Sequence, residues 1–400
     1  MRIGHYEHNI FAEGGTATYI RRVGHAQKEC GHTVVYFSQT PAPDGTTDRA
    51  CVTVASEADL FARAADLQLD VLHLHQPVAT VPDSRVPVVR TMHNHSGSCV
   101  SGSRLLGRST TPCDRAVHPL GCLWGHYVDQ CGPRDPRRLW DNLANLRREL
   151  KQGHTLHTFA VSAFLRDRMV ETGYPPARVH VLRSPAPPSL PSFVPPPENG
   201  VPRVLFLGRL VPEKGADWLL HAAAHVEAPL HIDIAGAGPL REELQQTAHT
   251  LGISSDVTFH GWCAPDRVNA LLRRARAVVF PSLWHEPAGL VTLEAAAAGR
   301  PVIVSQVGGI PEYAHPSFAH SVPPNDVHAL AAALQDLVDH PQTACQMGRN
   351  GWALARSAFS MEAFLDRQFM LYRRAGIGRD ARGASSDSRS LDPVSHDVCS

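Results

Sequence analysis

The chain has 400 residues, 43% of them hydrophobic, and its 38 basic residues are balanced by 38 acidic ones. This length suggests two domains, each large enough for its own core. Balanced charge argues against a protein that attracts nucleic acid through its overall field. No apolar run is long enough to cross a membrane and no secretory signal is evident, so we expect a cytoplasmic protein. Its nine cysteines would then not form a disulfide framework.

The first half of the chain alternates between predicted strands and helices. Apolar runs predict strands at 1–7, 32–38, 70–74, 86–91, 156–161 and 179–183, and helical periodicity predicts helices at 16–29, 56–67, 137–151 and 164–171. This alternation is typical of a doubly wound parallel sheet. Gly14 and Gly15, between the first strand and the first helix, are a weak sign of nucleotide binding.

Residues 94–135 interrupt this pattern and predict an irregular insert, either a functional loop or a small fold of its own. The insert carries four cysteines with 13, 8 and 8 residues between neighbours: Cys99, Cys113, Cys122 and Cys131. Four thiols could bind a structural zinc, with His118 or His126 as substitute ligands, or could remain reduced and packed. No catalytic metal is predicted.

Residues 184–200 are rich in proline and predict a linker between a first domain at 1–183 and a second at 201–358. In the second domain strands are predicted at 204–208, 231–235, 257–259, 277–280 and 301–305, and helices at 216–226, 239–250, 265–274, 290–298, 327–340 and 343–358. A closing helix is predicted within 359–375. Residues 376–400 contain few apolar residues, and we expect them to be disordered.

The strongest functional signal lies at 277–314. A buried strand there is followed by a loop with Glu286 and Gly289 and by a helix with Glu294, and open α/β sheets bind ligands at such strand ends. Gly289 permits close approach of a ligand, and the first amides of the helix, Leu290 and Val291, could face an anion. The two carboxylates could accept hydrogen bonds from hydroxyls on either side of a phosphate. Alternatively, they simply lie there because the start of a helix favours negative charge.

A second cluster follows the strand at 204–208. Gly208 and Arg209 come directly after this strand, and Lys214 precedes the next helix, so both cations could neutralise one diphosphate. Gly236 and Gly238 follow another strand in a tight turn that we expect to line the nucleotide base. They make a poor dinucleotide fingerprint, because Arg241 stands where the third glycine would be.

These motifs carry a resemblance to a known family. EPAGLVTLE, GRLVPEKG, the GAGPL turn, the first glycine loop and the segment FSMEAFLDRQFMLYRRA resemble the E-x7-E glycosyltransferases of family 4, which are retaining, metal-independent enzymes. The resemblance spans about residues 1–375. It implies the GT-B fold, in which two Rossmann-like α/β domains face each other across a cleft and the closing helix crosses back to the N-terminal domain. The C-terminal domain would hold a nucleotide sugar and the N-terminal domain the acceptor.

The resemblance also implies roles for individual residues. Arg209 and Lys214 would bind the donor diphosphate and stabilise the departing nucleotide, and Glu286 would bind sugar hydroxyls beside the amides at 289–291. Glu294 would hold the ribose, and Gly15 would let its loop approach the diphosphate from the opposite wall. His93 resembles the N-domain histidine that contacts the sugar near its anomeric carbon, although an ordinary loop histidine is the alternative. A nucleotide sugar is the co-substrate, and no further cofactor is implied.

The expected function is transfer of a hexose-type sugar to an acceptor hydroxyl, in surface polysaccharide or glycoconjugate assembly. An NAD-dependent oxidoreductase and an inactive binding scaffold are the alternatives. The basic helix at 137–151 carries an apolar stripe that consists of Leu139, Trp140, Leu143, Leu146 and Leu150. This stripe could contact an anionic membrane bearing a lipid-linked acceptor, or it could face the domain core.

Overall fold

The computed structural model describes residues 1–12, 14–42, 50–83, 85–132 and 134–377. The predicted disordered tail therefore lies outside the described residues from 378 onward. Its first two residues, Gly376 and Ile377, belong to the folded part, and Ile377 is buried. Among the described residues, no helix is both long enough and apolar enough to span a bilayer.

The first sheet contains seven parallel strands in the order β3-β2-β1-β4-β5-β8-β9. Its strands are β1 Arg2–Tyr6, β2 Thr33–Ser38, β3 Cys51–Thr53, β4 Val71–Leu74, β5 Val88–Met92, β8 His157–Ala160 and β9 Val179–Val181. The helices between them are α1 Gly15–Glu29, α2 Glu57–Asp66, α3 Pro119–Tyr127, α4 Pro136–Gly153 and α5 Ala163–Thr172. The predicted parallel sheet is confirmed.

The second sheet contains six parallel strands in the order β12-β11-β10-β13-β14-β15. Its strands are β10 Arg203–Leu207, β11 His231–Ala235, β12 Val257–Gly261, β13 Ala277–Phe280, β14 Val302–Ser305 and β15 Ala319–Val322. Its helices are α6 Ala216–Ala223, α7 Arg241–Thr250, α8 Pro265–Arg274, α9 Leu290–Ala297, α10 Val327–Asp339, α11 Pro341–Ala355 and α12 Met361–Arg374. The segment between the two sheets, 184–200, has no helix or strand.

Strand β10 shows why these runs are uniformly apolar. Val204 and Phe206 belong to the core on one face of the second sheet, and Leu205 and Leu207 to the core on the other. Because alternate side chains of a strand point to opposite faces, a strand covered by helices on both sides has no solvent-facing positions. Strand β10 is therefore packed on both faces, and the polar residues Arg209 and Lys214 lie in the loop that follows it.

The closing helix α12 crosses back to the first sheet, as predicted. Phe364 and Tyr372 of α12 pack in one core with Ile3 and Ile20 of the first domain. The Tyr372 hydroxyl also forms a hydrogen bond of 2.7 Å with Nδ1 of His73. This packing ties the end of the chain to its beginning.

The insert at 94–135 is a small fold, the second of the two alternatives given above. It contains an antiparallel pair, β6 Leu105–Leu106 with β7 Thr111–Pro112, as well as helix α3. The sequence does not predict α3 because Gly121 and Gly125 lower its helix propensity. Strands β3 and β15 were also not predicted, since β3 has three residues and β15 carries polar residues at its centre.

The apolar stripe of α4 faces the core, which supports the second of the two interpretations given above. Leu139 and Leu146 are buried and pack with Val100, while Leu143 and Leu150 are partly buried against the same core. Trp140 lies off this face and is 67% exposed. The leucine stripe is therefore not available to a membrane.

Candidate functional site

The candidate site begins where β10 and β13 end. These strands are parallel neighbours, so the loops that follow them leave the same edge of the sheet. Leu283 N and Ser282 Oγ both donate to the carbonyl oxygen of Glu213, at 2.9 and 3.1 Å. The two hydrogen bonds hold the turn that carries Lys214 beside the loop that carries Glu286.

Lys214 and Glu286 form a buried ion pair. Lys214 Nζ lies 2.5 Å from Glu286 Oε1, and the two side chains are 15% and 8% exposed. Ser282 Oγ lies 3.0 Å from the same carboxylate oxygen, and the Trp284 ring centroid lies 5.2 Å from the ammonium. Burial raises the pKa of Glu286, and the Lys214 charge opposes that rise. Within the described residues Glu286 Oε2 has no hydrogen-bond donor, so it can accept from a ligand hydroxyl.

Arg209 lies at the same edge but is not held there. Its side chain is 69% exposed and lies 3.6 Å from the Glu213 carboxylate, a pairing that contributes little in water. Its charge nevertheless reaches the Glu286 carboxylate and helps to lower the pKa of that group. The structure thus brings Lys214 and Glu286 together and leaves Arg209 exposed beside them.

Helix α9 begins directly after this loop, with Gly289 as the residue before its first residue, Leu290. No side chain caps this helix, and the amides of Leu290 and Val291 in its first turn lack intrahelical acceptors. A side chain at Gly289 would lie 3.1 Å from Tyr313. Across the gap, a Cβ at Gly15, where α1 begins, would lie 3.7 Å from Leu290 Cδ1. Two uncapped helix starts from different sheets therefore face each other.

Glu294 lies one turn inside α9 and faces α1 of the other domain. Burial raises the pKa of Glu294 to about 7, and the charge of Arg22 opposes the rise. Arg22 donates to the carbonyl of Ala186, and its Nε is buried without a partner in the described part of the chain. Sequence reasoning missed Arg22, whose only signal is its position two turns after Gly15.

A glycine pair behind Glu286 was also missed. Gly309 N donates to the Glu286 carbonyl oxygen at 2.7 Å. Gly308 has a φ of +58°, and a Cβ there would lie 2.6 Å from Glu286 N. A larger residue at 308 would therefore displace the backbone that positions the carboxylate.

Of the glycines Gly208, Gly236 and Gly238, the last two have a clear packing role. A Cβ at Gly236, where φ is +154°, would lie 1.7 Å from the Gly208 carbonyl oxygen, and one at Gly238 would lie 2.2 Å from that of Leu210. The loops after β10 and β11 can therefore touch only because these positions lack side chains. Contact of these glycines with a nucleotide stays a prediction.

His93 follows β5 and ends a chain of hydrogen-bonded imidazoles. His93 Nε2 lies 3.1 Å from His75 Nδ1, and His75 Nε2 lies 3.0 Å from His5 Nδ1. His5 Nε2 lies 2.8 Å from Gln27 Oε1, and Gln27 Nε2 donates to Gln368 Oε1 at 2.8 Å. Burial lowers the pKa of His93 and of His5 to about 4, so the rings are neutral at physiological pH.

This chain sets the tautomer of each ring, because a neutral imidazole has one donor and one acceptor. Gln27 Oε1 accepts from His5 Nε2, so His5 Nδ1 must accept from His75, and His75 Nδ1 from His93 Nε2. His93 is left with an unprotonated Nδ1, which has no hydrogen-bond partner within the described residues. Among those residues, no hydrogen bond or ion pair joins His93 directly to Lys214 or Glu286.

His5, His73 and His75 have ring nitrogens that lie within 4.8 Å of one another, a spacing that could hold a metal. However, both nitrogens of His73 are already paired, with Tyr372 and Thr91, each at 2.7 Å. Those of His5 and His75 belong to the chain above. Hydrogen bonding therefore accounts for every nitrogen in this group without an ion.

The insert at 94–135 and its flanking turn reach across to the loop before Glu286. His95 Nε2 donates to the His285 carbonyl at 2.6 Å, and the Trp284 ring N–H donates to the Ser103 carbonyl. His285 Nε2 lies 2.8 Å from Asp114 Oδ1. These residues were not predicted, and the wall that they form covers one side of the candidate site.

A second contact between the two domains centres on Glu312. Its carboxylate accepts from the amides of Ala163 and Phe164 at the start of α5, both at 2.8 Å. It also lies 3.0 Å from an Arg183 guanidinium nitrogen. A helix of the first domain is thus capped by a carboxylate of the second. This contact is favourable because the start of a helix carries a partial positive charge.

Two parallel α/β sheets that face each other across this gap, with a last helix returning to the first, define the GT-B class of glycosyltransferase fold. Solved structures agree. A glycosyltransferase from Rickettsia africae ESF-5 superimposes with a TM-score of 0.68 at 14% identity, covering 94% of this chain and 99% of that one. Anabaena Alr3699/HepE, solved with UDP and glucose, gives 0.66 at 15% identity, covering 93% and 99%.

Family comparison narrows this class. Residues 13–190 match the Glycosyltransferase Family 4 model, and residues 192–353 match the Glycosyl transferases group 1 model. The two matches are consecutive and together span most of the chain. The chain therefore belongs to this glycosyltransferase family.

Individual relatives are glycosyltransferases of several specificities. The MMP alpha-(1->4)-mannosyltransferase of Mycolicibacterium hassiacum is 26% identical over 401 aligned residues, covering 90% of this chain and 95% of the relative. D-rhamnosyltransferase WbpZ of Pseudomonas aeruginosa is 38% identical over 159 residues, covering 39% and 41%. The glycogen synthase of Mycobacterium tuberculosis is 33% identical over 186 residues, covering 46% and 45%. The last two similarities span less than half of each relative.

Proposed function

We propose that this glycosyltransferase is a retaining enzyme that moves a hexose-type sugar from a nucleotide diphosphate sugar to an acceptor hydroxyl without a catalytic metal. We further propose that it acts in surface polysaccharide or glycoconjugate assembly. The observation that carries the proposal is the buried Lys214–Glu286 pair, which lies at the strand edge before the uncapped start of α9. The family match gives no support to the oxidoreductase alternative.

The donor would lie with its diphosphate between Lys214 and the amides of Leu290 and Val291. A sugar–phosphate bond breaks with negative charge growing on the leaving phosphate, and each preorganised donor to such a charge is typically worth about 3 kcal/mol. The exposed Arg209 side chain can move onto the same phosphate when the donor arrives. Glu286 Oε2 would accept from a sugar hydroxyl, and the Glu294 carboxylate from the ribose.

Retention is proposed to follow a front-face displacement. No carboxylate is expected to act as a nucleophile, because Glu286 is occupied on one oxygen by Lys214 and Ser282. The leaving phosphate would take the proton of the acceptor hydroxyl as the new bond forms. His93, with its unprotonated Nδ1, would contact the sugar from the first domain.

Donor binding can be tested with a thermal-shift screen of UDP-, GDP- and ADP-sugars. A ligand that binds the native state raises the midpoint temperature of unfolding with the logarithm of its concentration over its Kd. Brief treatment with EDTA, and added Mg²⁺ or Mn²⁺, should leave binding and turnover unchanged. The anomeric configuration of the product, measured by NMR, should match that of the donor. An inverted product or dependence on added metal would contradict the proposal.

A catalytically inactive scaffold is the remaining alternative. Such a protein would bind a nucleotide sugar in the thermal-shift screen but would neither hydrolyse it slowly nor transfer the sugar to any acceptor. The buried Lys214–Glu286 pair favours an enzyme, because a scaffold gains nothing from a desolvated charge pair at this edge. Release of nucleoside diphosphate from the stabilising donor separates the two.

We extend the proposal to an acceptor at a membrane surface, with the contact on α3 rather than on α4 as first considered. One face of α3 carries exposed apolar side chains at helical spacing: Leu120, Leu123, Trp124 and Tyr127. Exposed Trp140 and the cations Arg137 and Arg138 begin α4, shortly after α3 ends. An apolar face with aromatic residues beside arginines suits the headgroup region of an anionic bilayer.

A further inference from the structure

The four cysteines of the insert converge on one small cavity. Cys99, Cys113, Cys122 and Cys131 belong to four separate segments, yet all line a cavity of about 30 Å³. This is enough room for one bound ion or water, since a single water needs about 10–15 Å³ of such space. All four cysteines are free thiols in the structure. The spacing along the sequence left their arrangement open, and the fold of the insert brings them together.

Arg104, which lines the same cavity, is a buried cation in need of a counter-charge. It is 2% exposed, and within the described residues no carboxylate pairs with it. Its guanidinium donates to the carbonyls of Ser98 and Cys113, at 3.0 and 3.2 Å, and its Nε is buried without a partner. An uncompensated buried charge is costly, so an anionic group near Arg104 would relieve that cost.

His126 provides a second, independent sign of a ligand. This ring is fully buried and lines the cavity, with Nδ1 2.9 Å from the Cys122 carbonyl oxygen. Its Nε2 is buried without a hydrogen-bond partner in the described part of the chain. Buried polar atoms are rarely unpaired unless a bound group is missing from the description.

We propose that Cys99, Cys113, Cys122 and Cys131 bind one structural zinc ion, with Arg104 as its buried counter-cation. Four thiolates around Zn²⁺ carry a net charge of minus two, which is the anionic partner that Arg104 lacks. On binding, each thiol loses its proton to solvent and forms a Zn–S bond, with no change of oxidation state. The sulfur atoms are not yet at the spacing of a zinc tetrahedron, so the ion draws the four segments together. His126 can replace one thiolate.

A thiol coordinated to Zn²⁺ is deprotonated outright, so zinc binding should release protons and weaken at low pH.

The zinc would stabilise the wall of the candidate site rather than take part in sugar transfer. Asp114, adjacent to Cys113, contacts His285, and Ser103, adjacent to Arg104, accepts from Trp284. Both contacts reach the loop that precedes Glu286. The ion would thus order this small fold against the loop that carries this carboxylate; in the described residues the fold's buried apolar contact with α4 is that of Val100 with Leu139 and Leu146.

Metal analysis of the purified full-length protein by mass spectrometry tests the proposal. We expect one zinc per chain in the wild type and less than a fifth of that in each of Cys99→Ser, Cys113→Ser, Cys122→Ser and Cys131→Ser. Cys30→Ser and Cys263→Ser, outside the insert, should retain the full content. If one of the four cysteine variants keeps its zinc and His126→Ala loses it, the histidine is a ligand in place of that thiolate.

A second measurement uses the wild type alone, so that misfolded variants do not obscure the result. Titration with a mercurial reagent should release zinc, detected with a chromogenic chelator, in proportion to the thiols consumed. Replacement by Co²⁺ should give the intense absorption of a cobalt–thiolate centre. Absence of metal together with an intact mass lower by one or two disulfides would overturn the proposal, as would an iron–sulfur spectrum.

Discussion

Gln27 of α1 and Gln368 of the closing helix share a buried hydrogen bond of 2.8 Å between their side-chain amides. Through Gln27, this bond sets the hydrogen-bond direction of His5, His75 and His93. A residue near the end of the folded chain therefore determines which nitrogen of a cleft histidine carries a proton. The relationship assigns Gln27 and Gln368 as positioning residues for the first domain's side of the site.

Replacing Gln27 with Leu should lower kcat about tenfold with a smaller change in KM, because His93 would no longer hold one tautomer. In the wild type, ¹⁵N NMR of labelled histidine should show His93 protonated at Nε2, and the variant should show a mixture. Gln346→Leu on exposed α11 is the matched control and should match the wild type. Wild-type protonation at Nδ1 would mean that both amides are oriented the other way.

Replacing Lys214 should separate catalysis from stability. Lys214→Met is expected to lower kcat at least a hundredfold and also to destabilise the protein by about 3 kcal/mol, because Glu286 is left buried and unpaired. The double variant Lys214→Met with Glu286→Gln should recover most of the stability and none of the activity. Chemical denaturation and turnover assays on the three proteins check this, and near-normal turnover in the single variant would remove Lys214 from the mechanism.

Glu294 should make the protein less stable as the pH rises. Its folded pKa of about 7 lies above the ordinary 4.5, so the folded state holds a proton that the unfolded state has already lost. This favourable contribution is complete below about pH 4.5 and is lost as the pH rises through 7. Glu294→Gln should therefore raise the unfolding free energy by about 2 kcal/mol at about pH 8 and have little effect at about pH 4. An equal effect at both pH values would contradict the assignment.

The histidine chain should act in the opposite direction and cause acid sensitivity. His5 and His93 have folded pKa values of about 4, below the ordinary 6.5, so the unfolded state takes up protons first. Stability should be fully present above pH 6.5 and decline as the pH falls toward 4. His5→Gln should flatten this decline in denaturation curves, whereas His25→Gln, on an exposed surface, should leave it unchanged.

The exposed face of α3 should determine binding to vesicles. The protein is expected to sediment with vesicles that contain phosphatidylglycerol and much less with pure phosphatidylcholine, because arginines flank the apolar face. Leu120→Ser with Trp124→Ser should abolish binding and leave turnover on a soluble acceptor unchanged. Trp262→Ser, a comparably exposed tryptophan in the second domain, is the matched control. Equal sedimentation of all three proteins would place the contact elsewhere or remove it.

Local sequence pattern determined much of the fold in advance. Strand β10 was predictable because both of its faces are covered, which makes Val204–Leu207 continuously apolar. The meeting of the loops after β10 and β13 was predictable because parallel strands end at one edge. His73 in β4 and His75, which directly follows that strand, are two apart and so share one face of the sheet, but their partner His5 comes from β1 and His93 follows β5.

What the sequence could not predict depends on long-range packing. The effect of the Arg22 charge on Glu294 involves residues of different domains, and the burial of Arg104 depends on how the insert folds over it. Helix α3 has two glycines, which lower its helix propensity, and its apolar side chains at helical spacing face outward, so no core-facing stripe marks it as a helix. The four cysteines were visible, but their convergence requires the turns between them.

The Glu312 carboxylate spans both domains, and this has a consequence for the working cycle. Opening the cleft would take Glu312 away from the start of α5 and leave the amides of Ala163 and Phe164 to water, while Ser162 Oγ would still accept from Leu165 N. This charge–dipole contact would be lost together with the hydrogen bonds that His95 and Trp284 make between the domains. Because salt weakens charge–dipole contacts, ionic strength would shift the balance between the closed and the open arrangement of the two domains.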